Sequence, residues 1–134
     1  LFGPQSGAQG ISNLKMVLCP IRTTQIDCVK TFLQEKYKLN ILIKTPEEHD
    51  REMAYVQALT HFIARAVEML KIPDTEMNTV AFTHLQKTAQ LLGTDSMDLF
   101  LSIQNENPYA EDIRKQILEQ LTALENVIHA DKNL

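Results

Sequence analysis

The sequence predicts a mainly α protein, a helical bundle preceded by a short β-α-β unit, and three observations carry that prediction. From Thr45 onward, apolar residues recur at three- and four-residue spacing and no strand signal survives. Before Thr45, two short apolar runs at residues 15–21 and 39–43 have strand length and flank a segment of helical period. The breaks between periodic segments fall at capping residues, prolines and one glycine. With 134 residues the chain holds one modest core and not two full domains. The change of pattern divides it into residues 1–45 and 46–134.

Taken in order, residues 1–13 are rich in Gly, Ser and Gln and read as loop. KMVLCPI at 15–21 is a strand ended by Pro20 and Arg22, and LNILI at 39–43 is a second. Between them Ile26, Val29, Phe32 and Leu33 place an apolar face on a helix of about three turns. A β-α-β unit of this kind forms a parallel pair with a right-handed crossover. Its unpaired strand edge is a liability that another copy of the chain would relieve.

Thr45 and Glu48 make a capping box with Pro46 in the first turn, and a long helix follows with Leu59, Phe62, Ile63, Ala66, Met69 and Leu70 in one broad stripe. It ends near Ile72-Pro73, since the residue before proline leaves the helical region. Asp74 is the expected cap of a second helix through Met77, Val80, Ala81, Leu85, Ala89 and Leu92, with Gly93 as a left-handed stop. Asp95 or Ser96 caps a third, carrying Leu99, Phe100 and Ile103. Asn107-Pro108 breaks it, and a last helix at about 108–130 runs on Ile113, Ile117, Leu121, Leu124 and Ile128.

The first long helix is apolar around much of its circumference, because Tyr55, Val56, Ala58, Leu59, Phe62, Ile63, Val67 and Leu70 cover more than one stripe. Three further helices are too few to cover it, and a symmetric homodimer would turn the surplus face into an isologous interface. A central position for this helix within the bundle is the alternative. A net charge of −4 and a pI near 5.5, with no basic patch interleaved with aromatics, exclude a nucleic-acid surface. No apolar run approaches the roughly 18 residues of a membrane span. Cys19 and Cys28 lack CxxC spacing and, without a signal peptide, read as reduced thiols in the cytoplasm.

Along the flank of the stripe run His49, Met53, Gln57 and His61, each four residues from the last and so about 40° further around an ideal helix. Gln57 and His61 then reach the same small volume. A histidine on such a flank is commonly a boundary residue with a satisfied ring nitrogen. Two histidines twelve residues apart, with no carboxylate between them on that line, do not make a zinc helix, and no metal is expected.

His49-Asp50, Met53, Gln57-Ala58-Leu59 and His61-Phe62, preceded by Phe2-Gly3-Pro4-Gln5-Ser6-Gly7, resemble the prephenate/arogenate dehydrogenases of tyrosine biosynthesis over residues 1–110 or so. In that family a His-Pro-Met-Phe-Gly-Pro phrase closes the catalytic loop of a dinucleotide-binding domain. A His-Asp helix with a second histidine twelve residues on opens an all-helical dimerisation domain. The resemblance implies that residues 1–45 are the last β-α-β edge of a Rossmann-like sheet and that 46–134 form the dimerisation and substrate-binding domain. It also implies a catalytic histidine just before Leu1, so that no catalytic residue is expected within the chain.

The implied activity is oxidative decarboxylation of prephenate or arogenate with NAD or NADP as cofactor in the full-length parent. The chain has no Gly-x-Gly-x-x-Gly turn, so by itself it is expected to bind no cofactor and to be inactive. His61 matches the family's second histidine at the substrate's carboxylate side. Gln57 faces the same pocket, and Gln5 stands where relatives often carry an acidic residue at its mouth. Thr83 falls where many members place an arginine, with His84 and Lys87 nearby, which leaves the choice between prephenate and arogenate open. Two other classes remain: a non-catalytic helical dimerisation or regulatory module, and a small helical enzyme of the chorismate mutase kind. Scattered Arg22, Arg51, Arg65 and Arg114 disfavour the latter.

Overall fold

Strands β1 (Lys15–Leu18) and β2 (Asn40–Ile43) pair in parallel through helix α1 (Ile26–Tyr37), in the register Lys15↔Asn40 to Leu18↔Ile43. This is the β-α-β unit that the alternation of periods predicts. α1 stops because Lys38 turns left-handed at φ 55° and its N–H reaches back to the Leu33 carbonyl. Among the described residues of this unit, Leu39 and Ile41 are buried. The computed structural model describes residues 7–8, 10–73 and 75–131, and the chain divides into two compact units, Leu1–His49 and Asp50–Leu134.

Helix α2 (Pro46–Met53) opens on the expected capping box. Thr45 N donates to Glu48 Oε2 at 2.8 Å and Glu48 N donates to Thr45 Oγ1 at 3.1 Å, satisfying two N–H groups that the helix start would otherwise orphan. The Thr45 backbone N–H, and after it the Thr45 hydroxyl donating to the same Glu48 Oε2 at 3.0 Å, hold the Glu48 carboxyl below its ordinary pKa.

The long helix expected from the sequence is not uniform. After Met53 it widens into a π-helical turn, Ala54–Leu59, before continuing as α3 (Thr60–Met69). The Thr60 hydroxyl donates five residues back, to the Tyr55 carbonyl, at 3.4 Å. A π turn takes in one extra residue, so the straight line of His49, Met53, Gln57 and His61 is broken before its last member. α3 ends at Met69, and Lys71 turns left-handed at φ 48° ahead of Pro73.

α4 (Val80–Gly93) is capped by Thr79, whose hydroxyl accepts from Phe82 N at 3.2 Å; the expected cap, Asp74, lies outside the described residues. Met77 therefore precedes the helix and is exposed. Gly93 is not the left-handed stop expected of it. It is the last residue of α4, the chain leaves through Thr94 in a right-handed conformation, and a Cβ on Gly93 would lie 2.8 Å from Glu68 Cγ of α3. The glycine serves close approach of two helices. α5 (Met97–Glu106) starts on Ser96, which accepts from Leu99 N at 3.2 Å, and ends at the extended Asn107 before Pro108. Asn107 then accepts from Tyr109 N and donates to the Asp50 carbonyl, and α6 (Ala110–Asp131) follows.

The core of the helical unit is made of small residues. Ala54, Ala58, Ala64, Ala89, Ala110 and Gly93 are buried with Ile113, which brings helix backbones close, while large apolar side chains stand outside. Tyr55 and Val56 are 56% and 67% exposed, and Leu118, Leu121, Leu124, Val127 and Ile128 line the outer half of α6. No described helix is long and apolar enough to cross a membrane.

Candidate functional site

α3 and the corner between α4 and α5 bring three polar side chains together. His61 Nδ1 stands 3.3 Å from Asp95 Oδ2, with both side chains half-buried. One turn after His61, Arg65 donates from Nη1 to the Gly93 carbonyl and from Nη2 to the Asp95 carbonyl, each at 2.6 Å, and its guanidinium lies 5.3 Å from the Phe100 ring centre. The Gly93 carbonyl belongs to the last turn of α4, which lacks helical partners, and the Asp95 carbonyl lies in the loop that follows, so the arginine both caps α4 and fixes the loop that carries Asp95. Arg65 Nε is buried without a hydrogen bond among the described residues.

Burial lowers the His61 pKa most; the Asp95 carboxylate pulls it back up and the Arg65 charge pushes it down again. At neutral pH the ring is therefore uncharged. With its Nδ1 side turned to a carboxylate, the proton is favoured there, which leaves Nε2 as an acceptor. Protonation converts Nε2 into a donor for an anion.

Of the residues expected at the site, His61 belongs to this cluster. Gln57 is half-buried in the π turn, and its side chain makes no hydrogen bond among the described residues. Gln5 lies outside the described residues. Thr83 is turned inward on its own helix, its hydroxyl donating to the Thr79 carbonyl at 3.0 Å, and His84 and Lys87 are exposed on α4. Asp95 and Arg65 were missed as site residues. The four-residue step from His61 to Arg65 is a legible signal that both share a helix face, whereas Asp95 joins them only through the turn after α4.

Nothing among the described residues fits a nicotinamide dinucleotide. β1 runs into Cys19-Pro20 without a glycine turn, Gly10 lies before the strand, and a Cβ on Gly7 or Gly10 would meet nothing within 4 Å, so neither glycine makes room for a pyrophosphate. Nor do three or more His, Cys, Asp or Glu of the described residues converge as a metal site would require.

Fold and cluster together define a helical domain that presents polar side chains from its first long helix, preceded in the chain by a short parallel β-α-β unit. A family model described as "Prephenate dehydrogenase, dimerization domain" matches residues 45–133, and the chain belongs to this family. It is 30% identical over 118 residues to arogenate dehydrogenase 1, chloroplastic, of Arabidopsis thaliana, covering 82% of this chain and 18% of that protein. To arogenate dehydrogenase 2, chloroplastic, of the same plant it is 29% identical over 139 residues, covering 98% of this chain and 37% of the relative. The crystal structure of Synechocystis arogenate dehydrogenase shares the fold with a TM-score of 0.60 at 20% identity, over 87% of this chain and 46% of that one. The chain thus spans less than half the length of each of these proteins.

Proposed function

We propose that the chain supplies the dimerisation surface and one wall of the substrate pocket of an NAD(P)-dependent dehydrogenase acting on prephenate or arogenate in tyrosine biosynthesis. The observation that carries this reading is the His61–Asp95–Arg65 cluster, built on the first long helix of a domain matched by the family over residues 45–133. His61 meets the substrate. While neutral it accepts a hydroxyl proton at Nε2; when a substrate carboxylate approaches, the added negative charge raises its pKa and it donates instead. Arg65 contributes positive potential from a fixed position. Gln57 offers an amide without a hydrogen-bond partner among the described residues, and Gln5 contributes from the segment outside them.

The cofactor, NAD or NADP, is held by a nucleotide-binding domain elsewhere in the whole protein, of which residues 1–45 are the closing edge; the 134-residue chain by itself takes none. The exposed apolar residues of the π turn and of α6 are the surfaces that a second copy covers. Free Cys19 and Cys28 suit a reducing compartment such as the cytoplasm. The two plant relatives, by their names, are chloroplastic.

The test is reduction of NAD and NADP with prephenate or arogenate, by the 134-residue chain and by the whole protein that contains it. Turnover by the whole protein and none by the chain is expected. Turnover proportional to the amount of the chain alone, or none by the whole protein with either substrate, overturns the reading.

A further inference from the structure

The π turn is held from outside the helix. Gln104 of α5 is a buried polar side chain, 4% exposed, and its Nε2 donates to the Ala58 carbonyl at 2.8 Å. Arg114 of α6 donates from Nη1 both to the Gln104 carbonyl at 2.8 Å and to Gln104 Oε1 at 3.0 Å. Each polar atom of the Gln104 amide thus has a partner, and the rotamer that aims Nε2 at Ala58 is fixed by the arginine behind it. A carbonyl satisfied by a side chain from another helix no longer depends on the helical ladder, so the ladder can widen there without orphaning an acceptor.

The widened turn decides where His61 points. Ala54, fully buried, faces α6 beside Ile113. In an uninterrupted α-helix His61, seven residues on, would lie within about 20° of that direction. The one residue absorbed by the π turn rotates everything after it by about 100° relative to that expectation, and His61 meets Asp95 at the α4–α5 corner instead. Two anchors on different faces keep the two halves of the helix apart in phase: Ala54 and Ala58 against α5 and α6 on one side, Ala64 and Arg65 against α4 and the Gly93–Asp95 corner on the other.

We propose that Gln104 and Arg114 are positioning residues for His61, an Arg114–Gln104–Ala58 carbonyl relay that keeps the π turn open and thereby sets the direction of the His61 ring. Its weight for turnover rests on His61 meeting substrate, as argued above. The test reads the His61 ring directly.

The titration of His61 is followed by NMR of its Cε1–H in the intact chain, with the exposed His129 on α6 as internal control. Asp95 and Arg65 are the charged groups acting on the ring, and burial outweighs both in setting its pKa. Loss of the relay turns the ring out of its site, so Gln104→Met is expected to raise the His61 midpoint toward the value of an ordinary histidine. The charge-conserving Arg114→Lys gives a smaller rise in the same direction, and His129 does not move. A folded Gln104→Met chain whose His61 titrates as before overturns the relay. In the unaltered chain, the Gln104 side-chain NH2 protons are expected to exchange at least about tenfold more slowly than those of the exposed Gln90 and Gln116. Exchange at their rate overturns the relay even where the variants do not fold. In the whole protein, a moved His61 titration with unchanged kcat/KM upholds the relay and overturns the assignment of His61 to substrate.

Discussion

Replacing Gly93 by alanine tests the packing on which the His61 corner is built. The added Cβ would stand 2.8 Å from Glu68 Cγ and 3.0 Å from Glu68 Cβ. The second of these atoms is fixed by the α3 backbone, so a rotamer change of Glu68 does not relieve both contacts and the helices must separate. Overpacking of this kind costs about 1–3 kcal/mol, and the upper half of that range applies because backbone must move. Alanine recovers at most about 1 kcal/mol of helix propensity, since Gly93 is in a right-handed helical conformation. The net is a loss of about 1–2 kcal/mol. It reads as a lower urea midpoint with unchanged slope, measured at one fixed protein concentration because association contributes to stability. The Arg65 bond to the Gly93 carbonyl weakens as the helices part. An unchanged or raised midpoint refutes the close approach of α3 and α4.

Two further outcomes follow from the helix start and from the exposed apolar face. Glu48 has a lowered pKa in the folded chain, so the stability it contributes is present above the unfolded carboxyl value and is lost as pH falls through the folded one. Glu48→Gln is expected to narrow the difference between unfolding midpoints at pH 7 and pH 3, and an equal or wider difference removes the capping box as its source. The chain is expected to sediment as a dimer, and Leu121→Glu with Leu124→Glu to yield a helical monomer by circular dichroism and sedimentation. A wild-type chain that stays monomeric at high concentration, or a double variant that still dimerises, contradicts that use of α6.

Much of the local structure is legible in the sequence because its causes are local. The two strands and α1 follow from runs of different period, the capping box from Thr45 and Glu48, the α5 start from Ser96, and its end from Asn107-Pro108. The second helix starts later than Asp74 suggests because Thr79 is in the extended conformation that lets its hydroxyl cap Phe82. The π turn leaves no mark in the hydrophobic pattern, which reads through it without a break. Its holder, Gln104, lies 46 residues away in sequence from the carbonyl it satisfies. The same distance effect hides the site: His61 is visible as a polar residue at the edge of a stripe, but Asp95 reaches it only once α3 and α4 pack through Gly93. Gly93 itself reads equally as a stop or as a contact, and only the packed helices distinguish the two.

The central claim is that the polar face of the first long helix meets substrate at His61, and steady-state kinetics of His61→Ala and His49→Ala in the whole protein test it most directly. His61→Ala removes one hydrogen bond to a charged group, worth about 1.5–3 kcal/mol, so kcat/KM for the substrate should fall roughly 10- to 150-fold while nicotinamide affinity stays unchanged. His49, beside the capped start of α2, should cost thermal stability and leave kcat/KM within about twofold of the parent. Equal effects of the two substitutions, or a His61→Ala protein within twofold of the parent, would contradict the account and leave the His61–Asp95 pair a structural contact.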